Sequence, residues 1–207
     1  MKSLAYGKEE LDFLGKKDPI LHTLIDEFGH IQIALSEDIF ADIVFAIVGQ
    51  MLSFKAGETI SKRLMEKAGD INPRTLAKLS EQDYRSCGLS RAKADYIKGF
   101  AIKVDSKELD LSNFEGMPSE DVTKALRSIR GVGPWTADMI ALFTLGEKDI
   151  FSFQDIALKN GIMGAHGYQT LSKQRFEKLR KLYTPYCSIA SLYYYRYNDT
   201  HIRRISD

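Results

Sequence analysis

Between Ile39 and Leu52 the apolar residues recur at steps of three and four positions, the spacing of one face of a buried helix. Comparable patterns run through most of the 207 residues, and no long alternation of apolar and polar residues indicates a strand. Helix-start signals at Asp18-Pro19 and Asn72-Pro73 agree with this interpretation. The sequence therefore predicts an all-α fold.

The composition limits the classes of function that need to be considered. Hydrophobic residues make up 44% of the chain, yet no run of about 18 apolar residues could span a membrane, so a soluble cytoplasmic protein is expected. The two cysteines and four histidines match no metal-ligand spacing, so we expect no zinc, no iron–sulfur cluster and no structural disulfide. The net charge of +1 does not by itself favour nucleic acid as a partner.

The most informative segment, residues 129–137, reads Ile-Arg-Gly-Val-Gly-Pro-Trp-Thr-Ala. Two helical patterns flank a tight G-V-G turn, where glycine tolerates positive φ and lets another backbone approach closely. Pro134 suits a helix start because its missing N–H costs nothing there. The N–H groups of such a hairpin can face a phosphate, although a G-x-G turn is also typical of a simple helix connection.

A second informative segment, residues 151–155, reads Phe-Ser-Phe-Gln-Asp. Ser152 and Asp155 lie three positions apart before an apolar helical run, a capping signature that predicts Asp155 in the first turn of a helix. An acidic residue at a helix start often does no more than stabilise the helix. A carboxylate held there in a partly buried cleft could also stabilise positive charge on a sugar.

Taken together, these segments resemble the helix-hairpin-helix, Gly/Pro-rich loop and aspartate signature of one DNA glycosylase superfamily. Residues 47–53, 88–97 and 183–190 also resemble, in the same order, segments of bacterial 3-methyladenine DNA glycosylase II. The resemblance extends from about Pro19 to Tyr195. It implies a two-lobed helical glycosylase architecture that lacks the N-terminal β domain of larger relatives. The expected lobes are residues 30–104, and residues 1–29 with 105–207, with 103–116 as an extended linker.

The resemblance implies a monofunctional glycosylase of base excision repair, which hydrolyses the N-glycosidic bond of alkylated purines such as 3-methyladenine and 7-methylguanine after base flipping. Asp155 aligns with the catalytic aspartate, which stabilises the oxocarbenium-like sugar or helps water to attack it. Trp135 stands where glycosylase/lyase relatives carry a lysine, so no Schiff base can form there. The alternatives are an 8-oxoguanine-type glycosylase, which Trp135 disfavours, and a non-catalytic hairpin module that binds DNA, which Asp155 disfavours.

The remaining site positions are also implied by the resemblance. Met51 aligns with the residue that fills the gap left by the flipped base, although it also continues the apolar face of its own helix. Aromatic residues of the base pocket could stack on an alkylated base, or could simply pack in the core. The pocket positions are Trp135, Tyr195, Met139 and Ile156. The DNA-binding positions are Gln50, Met51, Ser53, Gly131, Val132, Gly133 and Thr136.

No cofactor is required for this chemistry. The hairpin of the family commonly binds a monovalent cation, Na+ or K+, through backbone carbonyls, and the matching positions are Arg127, Ile129 and Val132. The expected partner is double-stranded DNA containing damaged bases, bound by a monomer with no membrane involved. The expected location is the cytoplasm, at the nucleoid of a bacterium or archaeon.

Overall fold

A computed structural model of the chain describes residues 2–114 and 116–202. Its regular structure is helical, and one isolated antiparallel bridge, between Ser3 and Ala34, is the only β-type pairing among those residues. The all-α prediction is therefore confirmed. The described α-helices are α1 (Lys8–Lys17), α2 (Pro19–Phe28), α3 (Ile39–Gly49), α4 (Phe54–Ala68), α5 (Pro73–Lys78), α6 (Glu81–Ser86), α7 (Arg91–Asp105), α8 (Ser119–Ser128), α9 (Pro134–Phe143), α10 (Ile156–His166), α11 (Lys173–Tyr183) and α12 (Cys187–Tyr197).

Two short helical turns complete the regular structure of these residues, a 3-10 turn at Leu111–Phe114 and a π-helical turn at Asn198–Ile202. None of the described helices combines the length and the apolar character needed to cross a membrane.

The chain folds as two compact units, one formed by Ser36–Ile140 and the other by Met1–Leu35 with Ala141–Asp207. The expected boundaries placed residues 105–140 with the chain ends, and the structure corrects this. In the Ser36–Ile140 unit the Arg130 guanidinium lies 5.2 Å above the Tyr96 ring of α7. The backbone at Gly131 approaches the same ring. The segment 103–116 is accordingly part of one unit and not a linker between two.

The Ser36–Ile140 unit is built around α3, whose apolar face is buried. Asp38 caps the start of α3 by accepting a hydrogen bond from the Ala41 N–H at 2.9 Å. The Phe40 ring stacks on the Phe100 ring of α7 with 5.1 Å between centroids. The predicted helical face is confirmed, and its buried members are Phe40, Ile43, Val44, Ile47 and Val48.

The second unit is built around α12, which is buried from Cys187 to Tyr194. Helix α10 packs against it at Gly161, where a Cβ atom would lie 2.1 Å from the carbonyl oxygen of Tyr194. Only glycine allows the two helix backbones to come this close. The position of α10 is therefore determined by direct backbone packing.

A buried polar network also fixes the second unit. Asp18 caps α2 through its Oδ1 atom, and its Oδ2 atom accepts a hydrogen bond from the Tyr183 hydroxyl. The Tyr194 hydroxyl lies 2.6 Å from that of Tyr183 and 2.9 Å from Nε2 of His166. Because His166 is the last residue of α10, this network anchors the C-terminal end of that helix.

Candidate functional site

The hairpin lies between α8 and α9, in the turn of residues 129–133. The Val132 N–H donates to the Ile129 carbonyl at 3.0 Å, and Gly131 between them has a φ of +94°. The positive φ is the expected reason for glycine here; the close approach is made by a side chain and not by another backbone, since a Cβ atom on Gly131 would lie 2.6 Å from the Tyr96 ring. Since the first N–H groups of a helix have no partner within it, the start of α9 can donate to an anion.

The side chains of Val132 and Thr136 in the hairpin are less accessible for contact with DNA than its backbone is. Val132 and Thr136 are buried, and the Thr136 hydroxyl oxygen lies 3.3 Å from Nε2 of Gln50. The same amide nitrogen donates to the Gly131 carbonyl at 2.8 Å. Gln50 is therefore engaged with the hairpin through its side-chain amide. Any DNA contact at Val132 or Thr136 has to use the main chain.

Met51 lies in the turn that follows α3. Helix α3 ends at Gly49, and the Leu52 N–H then donates to the Gly49 carbonyl at 3.2 Å. Met51 itself has a φ of +58° and is 101% exposed. The interpretation of Met51 as the last residue of the buried face is therefore wrong, because that face ends at Val48.

Ser53 caps α4 by accepting from the Ala56 N–H at 3.3 Å.

Asp155 is the N-cap residue of α10, one position earlier than the predicted first turn. Its side chain is buried and its Oδ1 atom accepts a hydrogen bond from the Leu158 N–H at 2.8 Å. Ser152 does not cap the helix. It contributes its carbonyl to the Asp155 N–H at 3.1 Å, and its buried hydroxyl has no hydrogen-bond partner among the described residues. The positive end of the α10 dipole favours negative charge at the Asp155 position.

The turn that carries Asp155 is held by two aromatic anchors that the sequence analysis did not single out. Phe151 stacks on Phe176 of α11 with 4.4 Å between centroids, and Phe153 meets the same ring edge-on at 5.1 Å. The available signal was the pair of phenylalanines on either side of Ser152, close before Asp155 in the sequence. With both rings fixed, the position of the Asp155 turn is fixed as well.

The proposed pocket residues differ in their surroundings within their own units. Trp135 lies in the first turn of α9 and is 42% exposed, so it is not a core aromatic. Ile156 begins α10 and is 69% exposed. Tyr195 is half-buried, with its ring 6.2 Å from that of Phe143, and Met139 is half-buried in α9.

The three consecutive tyrosines of α12 have separate roles. Tyr193 and Tyr194 are fully buried, and their hydroxyls bond to the Gly29 carbonyl and to the network around Asp18. Of the three, only Tyr195 keeps part of its ring accessible. The interpretation of this run as core packing thus holds for Tyr193 and Tyr194 but not fully for Tyr195.

The described residues contain no cluster of three or more His, Cys, Asp or Glu side chains that could hold a metal ion. Cys87 and Cys187 are both buried as free thiols, and burial raises the pKa of each thiol.

Comparison with known proteins places these features in one family. A family model described as HhH-GPD superfamily base excision DNA repair protein matches residues 44–185. The segment includes both the hairpin and Asp155.

Two relatives and one solved structure illustrate the similarity. A Bacillus subtilis protein, provisionally named DNA-3-methyladenine glycosylase YfjP, is 29% identical over 185 residues, which are 85% of this chain and 64% of YfjP. The alkylbase DNA glycosidase-like protein mag2 of Schizosaccharomyces pombe is 29% identical over 78% of this chain and 79% of its own. The crystal structure of a DNA-3-methyladenine glycosidase from Bacillus halodurans superposes with a TM-score of 0.87 at 29% identity, over 98% of this chain and 95% of that one.

Proposed function

Because the chain belongs to the HhH-GPD superfamily of base excision DNA repair proteins, we propose that it is a monofunctional DNA glycosylase for alkylated purines such as 3-methyladenine and 7-methylguanine. The observation that carries the proposal is the buried carboxylate of Asp155 at the start of α10, within the same matched segment as the hairpin. The names of the Bacillus subtilis and Bacillus halodurans relatives support the substrate class.

Asp155 supplies the chemistry of the reaction in this proposal. An alkylated purine carries positive charge on its ring and leaves readily, and the sugar left behind develops positive charge at C1′. A preformed carboxylate lowers the energy of that charge, either directly or by orienting the attacking water. The two phenylalanine anchors keep the carboxylate in place, so that little reorganisation is required during the reaction.

DNA is bound, in this proposal, by the hairpin and by the turn after α3. The main-chain N–H groups at the start of α9 bind a phosphate, and the exposed Met51 side chain fills the gap left by the flipped nucleotide. Trp135 and Tyr195 each offer an aromatic face that suits an electron-poor base, and Met139 and Ile156 each offer an apolar side chain for contact with it. The protein acts as a monomer on double-stranded DNA that contains damaged bases.

A monovalent cation at the hairpin is compatible with the backbone geometry. Helix α8 ends at Ser128, and in its last turn the Ala125 carbonyl accepts from the Ser128 hydroxyl and the Leu126 carbonyl from the Ile129 N–H. The Arg127 carbonyl lies beyond the last N–H that the helix could offer it. The Ile129 carbonyl accepts the Val132 N–H and keeps a second lone pair. Oxygen atoms of Arg127, Ile129 and Val132 would hold Na+ or K+, which would stiffen the turn that presents N–H groups to the phosphate.

The proposal is tested by incubating the protein with methylated DNA and identifying the released bases. We expect 3-methyladenine and 7-methylguanine, with the strand left intact at the abasic product because Trp135 offers no amine. Release of 8-oxoguanine, with a borohydride-trapped protein–DNA adduct, would favour the glycosylase/lyase alternative. Binding to damaged duplex without base release would favour a non-catalytic module.

A further inference from the structure

Lys93 makes an unusual pair of contacts with the end of α3. Its Nζ atom donates to the Val48 carbonyl at 2.8 Å and to the Gln50 carbonyl at 2.5 Å. Lys93 lies in the first turn of α7, where Ser90 caps the helix by accepting from its backbone N–H. The side chain is half-buried, and burial lowers the pKa of its ammonium group. These contacts place a cation on carbonyls at the negative end of a neighbouring helix.

Gln50 is consequently held from two sides. Lys93 fixes its carbonyl, while its side-chain amide donates to the Gly131 carbonyl of the hairpin at 2.8 Å. The next residue, Met51, has positive φ although it is not glycine, which is a strained conformation that persists only where the surroundings enforce it. Lys93 and Gln50 are the neighbours that enforce it, and together they join the turn at residues 49–52 to the hairpin.

We propose that Lys93 is a positioning residue for Met51: by holding the carbonyls of Val48 and Gln50, it keeps the Met51 side chain projecting from the protein before DNA arrives. The inference rests on the proposed role of Met51 as the residue that fills the gap. Direct binding of a phosphate is the competing role for a lysine near a DNA surface. Two of the three Lys93 donors already bond to the protein, which argues against that role.

The chain provides a matched control in Lys98 of the same helix. Its Nζ atom donates to the carbonyl of Leu79 at 2.7 Å, at the C-terminal cap of α5. Lys98→Met removes the same kind of interaction from a different helix end. Any effect of Lys93→Met that Lys98→Met does not share therefore belongs to the turn at residues 49–52.

The test measures affinity for a duplex that contains an abasic-site analogue, for Met51→Ala, Lys93→Met, the double variant and Lys98→Met. We expect Lys93→Met to weaken binding about fivefold to tenfold, with little further loss when it is added to Met51→Ala, since residues that act through each other are non-additive. Lys98→Met should stay within about twofold of wild type. The Met51→Ala variant should unfold at nearly the wild-type urea concentration, because its side chain is exposed.

Salt dependence separates the positioning role from phosphate binding. Lys93→Met should leave the slope of log affinity against log salt unchanged, whereas loss of a phosphate contact would reduce its magnitude by about 1. A reduced slope, or effects of Lys93→Met and Met51→Ala that add fully, would overturn the inference while leaving the role of Met51 intact. Unchanged affinity in Met51→Ala would overturn both. If Lys93→Met does not fold, as judged by circular dichroism, Lys93→Gln replaces it in the same cycle.

Discussion

At the residue scale, Asp155 has a structural role beside its proposed chemical one. Its Oδ1 atom caps α10 by accepting the Leu158 N–H at 2.8 Å. Asparagine is a comparable N-cap, so Asp155→Asn keeps the cap and removes the charge. We expect base release from methylated DNA, measured in single turnovers, to fall about a hundredfold or more, because a stabiliser of developing charge is lost. Affinity for an abasic duplex and the midpoint of thermal unfolding should remain near wild type.

Asp38 provides a control for this substitution. It caps α3 through the same kind of bond, to the Ala41 N–H at 2.9 Å. Asp38→Asn should therefore leave base release unchanged. Wild-type release by the Asp155→Asn variant would show that another group stabilises the sugar.

The residues of the site were predictable to different degrees. The sequence placed Asp155 near a helix start, but through a Ser152 cap that the structure does not show, because Asp155 itself is the N-cap of α10. The engagement of Gln50 could not be predicted, since its partner Gly131 lies 81 positions further along the chain. The exposure of Met51 was equally hidden, because its apolar character fits both a buried face and a projecting side chain.

At the element scale, the packing of α10 on α12 determines where Asp155 lies. A Cβ atom on Gly161 would lie 2.1 Å from the Tyr194 oxygen and 2.7 Å from its carbonyl carbon, and these backbone atoms cannot move aside cheaply. We expect Gly161→Ala to lower the free energy of unfolding by about 3 kcal/mol, as measured by urea denaturation.

Gly99 of α7 is the matched comparison, because a Cβ atom there would have no heavy atom within 4 Å. Gly99→Ala should raise stability by about 0.5–1 kcal/mol through helix propensity. A Gly161→Ala variant within about 0.5 kcal/mol of wild type would mean that the two helices separate easily.

The network at the C-terminal end of α10 predicts a dependence of stability on pH. Burial lowers the pKa of His166, and the nearby Asp18 carboxylate, 3.5 Å from its Nε2 atom, opposes this only in part. Tyr194 and Tyr168 also face the ring. In the unfolded chain the imidazole of His166 binds a proton below a pKa of about 6.5, whereas in the folded protein it does so only at lower pH. The free energy of unfolding therefore falls as the pH falls from about 6.5 towards the pKa of His166 in the folded protein.

The measurement is urea unfolding of wild type and His166→Gln between pH 7.5 and pH 5.5, a range set around the reference histidine pKa of about 6.5. The other three histidines are exposed, so wild type should lose more stability over this range than the variant does. Identical losses in the two proteins would contradict the assignment to His166.

Most helix ends were predictable from local signals, and the grouping of the helices was not. The helix starts at Asp18-Pro19 and Asn72-Pro73 follow from capping chemistry and are confirmed by α2 and α5. The placement of residues 105–140 in one unit with α7 depends on contacts such as Arg130 with Tyr96, which join distant parts of the chain. Periodicity describes the face that an element buries but not the element against which it packs.

At the scale of the whole molecule, the net charge is only +1, and several basic side chains are paired with carboxylates. Lys67 pairs with Asp83 at 3.0 Å, and Lys148 pairs with Glu10 at 2.8 Å. Surface pairs of this kind contribute little to stability, but they reduce the positive field that phosphates experience. We therefore expect DNA binding to involve few phosphates, centred on the 129–137 hairpin.

This expectation is measured by the dependence of affinity for an abasic duplex on salt concentration. The slope of log affinity against log salt should have a magnitude of about 3 to 5, because each neutralised phosphate contributes about 0.9. Arg130 is exposed within the hairpin, so Arg130→Gln should reduce the magnitude by about 1. Lys124 is already paired with Glu120 at 2.9 Å on its own helix, and Lys124→Gln should leave the slope unchanged. A wild-type slope near about 10 would instead require a broad basic surface that binds DNA well beyond the hairpin.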